Sequence, residues 1–155
     1  MKRFLIVLPN DVMGGAEQYL FELCKFHSKI NFIQVVFLKM EITGFWNKTT
    51  NFQNISLKYF QASSEKRGML EFINWSMKNE IKYDYVLSSH LHLNGLIGFL
   101  RKINFLKAMM HIGRESTFIF DRFSGFKLLE FKCFYYMGYT ELLRPCNSLS
   151  FISSD

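Results

Sequence analysis

Five consecutive apolar residues, Phe4-Leu5-Ile6-Val7-Leu8, stop at Pro9, and Gly14-Gly15 then lead into an apolar pattern of helical period. An unbroken apolar run of this length is the pattern of a strand covered on both faces, as in a parallel sheet. Its passage through a glycine loop into a helix constrains the chain to the opening of an α/β fold. The loop itself has two readings. Paired glycines between a strand and a helix make a tight turn. Equally, they let an anion approach the unpaired amides and the positive dipole end near Gly15 and Ala16.

The rest of the chain continues the alternation. From Ala16 to His27 a helix is expected, with Ala16, Tyr19, Leu20, Leu23 and Phe26 on its apolar stripe and Glu17, Glu22 and Lys25 off it. Glu17 falls in the first turn, where a negative charge suits the dipole. Phe32 to Leu38 is a second apolar strand, Glu41 to Asn54 an irregular loop, and Ile55 to Phe60 a weaker strand near an edge. Ser63-Ser64-Glu65-Lys66 supplies capping chemistry for a helix ending near Ile81, with Met69, Leu70, Ile73, Met77 and Ile81 as its buried stripe. Then come a strand from Tyr83 to Ser88, a helix from Leu93 to Lys102 and a short strand from Ala108 to Ile112. Phe118 to Tyr139 reads as an aromatic-rich helical region and Leu142-Leu143 as a weak strand. Strands alternating with helices predict an α/β sandwich with a mainly parallel sheet.

Composition narrows the function classes. The chain has 155 residues, 49% hydrophobic and 21% charged, which is one domain's worth of globular sequence. A net charge of +6 suits an anionic ligand or an acidic membrane surface. No basic run, RNA-binding aromatic signature or zinc-finger spacing occurs, so no nucleic-acid partner is expected. Cys24, Cys133 and Cys146 are odd in number and far apart, which argues for a reducing, cytoplasmic setting over a disulfide framework or zinc site. Met1-Lys2-Arg3 and the run after it look like the start of a signal peptide, but the run ends at Pro9-Asn10-Asp11 and reads instead as the first buried strand. The 18 Phe suggest more apolar surface than one core needs.

In parallel sheets ligands bind beyond the carboxyl ends of the strands. Three polar clusters fall there: Asn10 to Gly15, Ser88 to His92 and Gly113 to Ser116. His90 is the leading titratable group, able to meet a hydroxyl or phosphate or to carry a proton; its other reading is a cap for the following helix. His92 has a weaker claim and can simply face solvent, and His111 reads as buried structure. Arg114 can hold an anion bidentately with Glu115 accepting hydroxyls, or the two form an ordinary surface pair. The dinucleotide fingerprint GxGxxG is absent, which disfavours nicotinamide and flavin enzymes. Neither a catalytic triad nor metal-ligand spacing is present, and no metal is expected.

Taken together, these motifs resemble a known family. Met13-Gly14-Gly15-Ala16-Glu17 resembles the GGAE loop of the retaining glycosyltransferase family 4, whose GT-B architecture has two Rossmann-like domains. Ser89-His90-Leu91-His92-Leu93-Asn94-Gly95 is similar to its S-H-x-x-x-x-G segment, and Arg114-Glu115 to the R-E pair of polysaccharide-building members. The resemblance runs from about Lys2 to Leu143 and implies a Rossmann-like three-layer sandwich. It implies Gly14 and Gly15 at the diphosphate of a sugar nucleotide, His90 as the catalytic-site residue beside the transferred sugar, and Arg114 and Glu115 on the acceptor side. No metal or other cofactor is implied.

Such enzymes carry a second, donor-gripping domain with a basic residue and a pair of glutamates, for which 155 residues leave no room. The expectation is therefore a single N-terminal, acceptor-side domain: a truncated gene product, a fragment, or a subunit that works with a donor-binding partner chain. A saccharide or lipid-linked acceptor and the inner face of the cell membrane are the implied partners. Phe118, Phe120, Phe123, Phe126, Phe131 and Phe134 beside Arg122, Lys127 and Lys132 make either an interfacial helix or a buried one with solvated charges. Non-catalytic sugar or nucleotide binding through a partner chain, and an unrelated Rossmann-like nucleotide enzyme, are the other functions compatible with these residues.

Overall fold

The structure, a computed structural model, describes residues 1–113. Five strands and three α-helices alternate: β1 (Arg3–Leu8), α1 (Gly15–His27), β2 (Phe32–Phe37), β3 (Ile55–Tyr59), α2 (Glu65–Lys78), β4 (Tyr83–Ser88), α3 (Leu91–Lys102) and β5 (Ala108–Gly113). The strands form one all-parallel sheet in the order β3-β2-β1-β4-β5. This is a Rossmann-like α/β arrangement, as the alternation predicts. The expected elements at Phe118 to Tyr139 and Leu142-Leu143 lie outside the described residues.

The apolar run of β1 is buried throughout because the sheet has a core on each face. Leu5 and Val7 point into a core with Phe72 of α2 and Leu93, Ile97 and Leu100 of α3. Phe4, Ile6 and Leu8 point into the other, with Leu20 and Cys24 of α1 and Trp46. Much of the aromatic content is spent here. Trp46 lies edge-on to Phe21 and Phe37, and Phe37 stacks on Tyr59, while Phe72 stacks on Trp75 across the sheet. Burial pushes the Cys24 thiol up to about 12, so it packs as an apolar residue. No helix among the described residues is long and apolar enough to cross a membrane.

Three expectations need correction. The segment from Glu41 to Asn54 is not wholly irregular: Phe45–Asn51 forms a 3-10 helix, opened by Gly44 in the left-handed region (φ 65°) and anchored by buried Trp46. On α1, Tyr19 and Phe26 are exposed and Glu17 is buried, so the inner face is Glu17, Leu20 and Cys24. On α2 the inner face is Gly68, Phe72 and Ser76, with Met69 and Ile73 at its border, whereas Leu70 and Met77 are exposed. That helix also ends at Lys78. Asn79 leaves it in an extended conformation, accepts the Ile81 N–H and donates to the Tyr83 hydroxyl.

The α2 correction has a steric cause. The helix crosses the end of β2 so closely that a Cβ on Gly68 would lie 1.7 Å from the Leu38 carbonyl oxygen. Small residues therefore face the sheet, and a hydrophobic stripe rotates away from where size alone would put it. Ala normally stabilises a helix interior over Gly by about 1 kcal/mol. Gly68→Ala is expected to do the reverse, lowering stability by roughly 2–3 kcal/mol through backbone displacement; urea unfolding midpoints check the sign.

Candidate functional site

Strand order reverses between β1 and β4, so the loops after these strands diverge and leave a crevice, the usual ligand position in an open parallel sheet. In the loop after β1, Asn10 Oδ1 accepts the Val12 N–H and turns the chain. Asp11 is fully buried, and its carboxylate accepts the N–H groups of Ile42, Thr43 and Gly44, with the Thr43 hydroxyl 3.0 Å away. Burial alone would raise its pKa. The donated hydrogen bonds outweigh burial and hold the carboxyl below its ordinary value.

Gly14 is the N-cap of α1 and Gly15 its first residue. Gly14 is extended (φ −121°, ψ −174°), and neither glycine has a positive φ, so the backbone conformation does not demand glycine at either place. Their surroundings differ. A Cβ on Gly14 would lie 2.7 Å from Glu17 Oε2, whereas a Cβ on Gly15 would meet nothing within 4 Å among the described residues. Gly14 makes room for the chain's own carboxylate, and Gly15 faces open space at a helix start with no side-chain cap.

His90 stands across from this loop. It is the N-cap residue of α3, but its side chain makes no capping hydrogen bond. Its Nδ1 lies 3.0 Å from Ser89 Oγ and 3.9 Å from Glu17 Oε1. The ring therefore faces the glycine loop. His92, in the first turn of α3, is paired through Nε2 with Glu65 at the start of α2, and so links two helices. Its ring centroid is 5.7 Å from that of His90.

Beneath His90 lies a buried polar layer. Ser88 Oγ donates to Asn94 Oδ1 and lies 2.9 Å from His111 Nε2. With its one hydrogen so used, the hydroxyl accepts from Nε2–H, which leaves Nδ1 of His111 as an acceptor without a donor among the described residues. Burial, assisted by the Arg101 guanidinium, pushes the His111 pKa down to about 4, so the ring is neutral. His111 is thus the structural histidine that its place in a strand indicates. A Cβ on Gly113 would lie 2.8 Å from Asn94 Cγ, so the end of β5 closes on the same layer.

The structure thus brings together Gly14, Gly15 and His90, while Arg114 and Glu115 lie outside the described residues. Asp11, Glu17 and Asn94 are the residues that sequence reasoning missed. Glu17 had a signal: the third helical position after an N-cap is where a glutamate turns back towards the cap. A cavity of about 400 Å3 opens at the opposite, amino edge of the sheet, lined by Met1, Arg3, Lys82, Tyr83, Asp84 and Met109. Its one carboxylate, Asp84, is already engaged by the Arg3 N–H and by Lys2, so it offers weaker chemistry than the crevice. Among the described residues no group of three or more His, Cys, Asp or Glu could hold a metal ion. No family model matches the chain, and no curated protein or solved structure matches it.

Two titrations follow from the geometry. Unfolded His111 binds a proton below about pH 6.5, but the folded ring resists until about pH 4, so stability drains as pH falls through that window. His111→Gln should remove an acid sensitivity on the order of 3 kcal/mol between pH 6.5 and 4, read from urea midpoints across pH. Asp11→Ala strands three amide donors and should cost roughly 2–4 kcal/mol at pH 7. Because the folded Asp11 pKa is depressed, the advantage of the native residue should shrink as pH falls below about 4.

Proposed function

We propose that the chain is the N-terminal, acceptor-side domain of a retaining glycosyltransferase that moves a sugar from a sugar nucleotide to a saccharide or lipid-linked acceptor in cell-envelope or capsular polysaccharide synthesis. The observation that carries this reading is Gly15. It has neither a conformational nor a packing reason to be glycine, and it borders open space at an uncapped helix start facing His90. Such a place suits close approach of a phosphate to backbone amides.

As the glycosyl bond breaks, negative charge grows on the leaving diphosphate. The amides at the start of α1 and its dipole stabilise that charge. His90, held by Ser89, sits beside the transferred sugar, where its ring meets a hydroxyl or carries a proton. By resemblance, Arg114 and Glu115 complete the acceptor side. The net charge of +6 supports a peripheral contact with anionic membrane lipids, which co-sedimentation with anionic vesicles at low salt tests.

Calorimetry with UDP, GDP and their glucose conjugates tests the central reading. The native chain should bind at least one, and Gly15→Leu, which fills the open space without disturbing packing, should weaken binding at least tenfold with an unchanged melting temperature. Retained affinity in that variant, no binding by the native chain, or preferential binding of NADH or FAD would overturn the proposal.

A further inference from the structure

The amino edge of the sheet, opposite the crevice, is basic. Lys2, Lys82 and Lys107 each stand immediately before a strand, at the starts of β1, β4 and β5, and Lys29 lies in the turn before β2. In the strand order β2-β1-β4-β5 these exposed side chains make a row across adjacent strands. Among the described residues Lys29, Lys82 and Lys107 form no ion pair, and of the two carboxylates at this edge, Glu80 and Asp84, the second is engaged by Lys2 and the Arg3 N–H. Apolar side chains stand among these cations. Phe26 and Ile30 around the end of α1, Met77 at the end of α2 and Met109 at the start of β5 are each more than half exposed. Helix ends explain part of the charge, since Lys25, Lys78 and Lys102 lie in the last turns of α1, α2 and α3 and complement their dipoles. Lys2, Lys82 and Lys107 precede strands, and no dipole calls for exposed Phe, Ile or Met. The cavity of about 400 Å3 lies within this surface, with Arg3 and Lys82 in its lining beside Met109.

We propose that this amino edge is a docking surface for an anionic lipid bilayer, with the lysine row over the headgroups, a lipid phosphate in the cavity beside Arg3 and Lys82, and Phe26, Ile30, Met77 and Met109 in the interfacial layer. It rests on the peripheral membrane contact proposed above, to which it gives a place, and not on the sugar chemistry. Two other anionic partners fit less well. A protein partner calls for a contiguous apolar centre with a polar rim, whereas here the apolar side chains come singly from separate elements with cations between them. Single-stranded nucleic acid stacks its bases on aromatic platforms, and this edge offers chiefly Ile and Met. A bilayer takes up each apolar side chain separately and lets lysines lay their stems along it with their charges at headgroup level. On this footing the crevice at the carboxyl edge faces water.

The test is co-sedimentation of the full chain with vesicles of phosphatidylglycerol and phosphatidylcholine in equal parts, and with phosphatidylcholine alone. The native chain should bind the anionic vesicles at low salt, ignore the neutral ones and be released at high salt. Lys29→Glu, Lys82→Glu and Lys107→Glu together should lower binding at least tenfold, at roughly fivefold for each cation lost. Lys39→Glu, Lys66→Glu and Arg67→Glu make the same change in net charge at the carboxyl edge, and should lower it by about threefold or less because the pull of the lipid charge fades with distance. Phe26→Ser with Ile30→Ser, both already exposed, should weaken binding in the same direction as the amino-edge set and serves as the second variant if that set does not fold. Equal losses from the two charge sets would overturn the proposal and leave a diffuse membrane contact in place. No vesicle binding by the native chain would overturn it together with that contact. Native affinity in the folded amino-edge variants, or binding of polyglutamate or DNA in preference to vesicles, would overturn it as well. None of these outcomes decides the sugar-nucleotide reading, which calorimetry tests separately.

Discussion

The parallel pairing of β1 on both of its edges underlies the rest of the structure. Phe4 to Leu8 pair with Ile33 to Phe37 on one side, and Phe4 to Val7 pair with Tyr85 to Ser88 on the other. A run that is apolar at every position, as Phe4 to Leu8 is, carries no inside-outside alternation to set its register. Polar pins at its ends do so instead. Asn31 Oδ1 takes the Lys2 N–H, Asp84 takes the Arg3 N–H, and the Leu8 carbonyl takes the Leu38 N–H. Because Val7 lies opposite Ser88, the loops carrying the glycines and His90 leave the sheet at the same level.

How legible this was in the sequence depended on what governed each element. The strands were legible because full burial writes itself as apolar runs, and Tyr83 to Ser88 lies where its composition puts it. The α2 cap was legible too, since Ser64 accepts the Arg67 N–H. The inner faces of α1 and α2 were not. In α1 Glu17 is buried together with Leu20 and Cys24, and Phe26 is turned outward at 71% exposure. In α2 the close crossing at Leu38 selects Gly68 and Ser76 over larger apolar residues. Helical period identifies a stripe of large side chains; it carries no information about how near the neighbouring backbone comes.

The candidate site was legible as a set of strand ends and illegible as chemistry. Gly14 and Gly15 are alike in sequence but differ in what surrounds them, and the difference comes from a side chain two to three residues further on. His90 was read as either a functional group or a helix cap, and its ring makes no capping bond. Asp11 looked like one more polar residue in a loop because its partners, Ile42 to Gly44, are remote in sequence.

That remote bond set bears on the cost of recognition. Without it, the segment leading to the 3-10 helix and the loop after β1 would each have to be ordered when a ligand arrived, and binding would be weakened by the entropy of both. Asp11 cross-links them during folding, so the ordering is complete before any encounter. A crevice built this way has walls ordered by folding itself, so a ligand's arrival would spend little on quieting them.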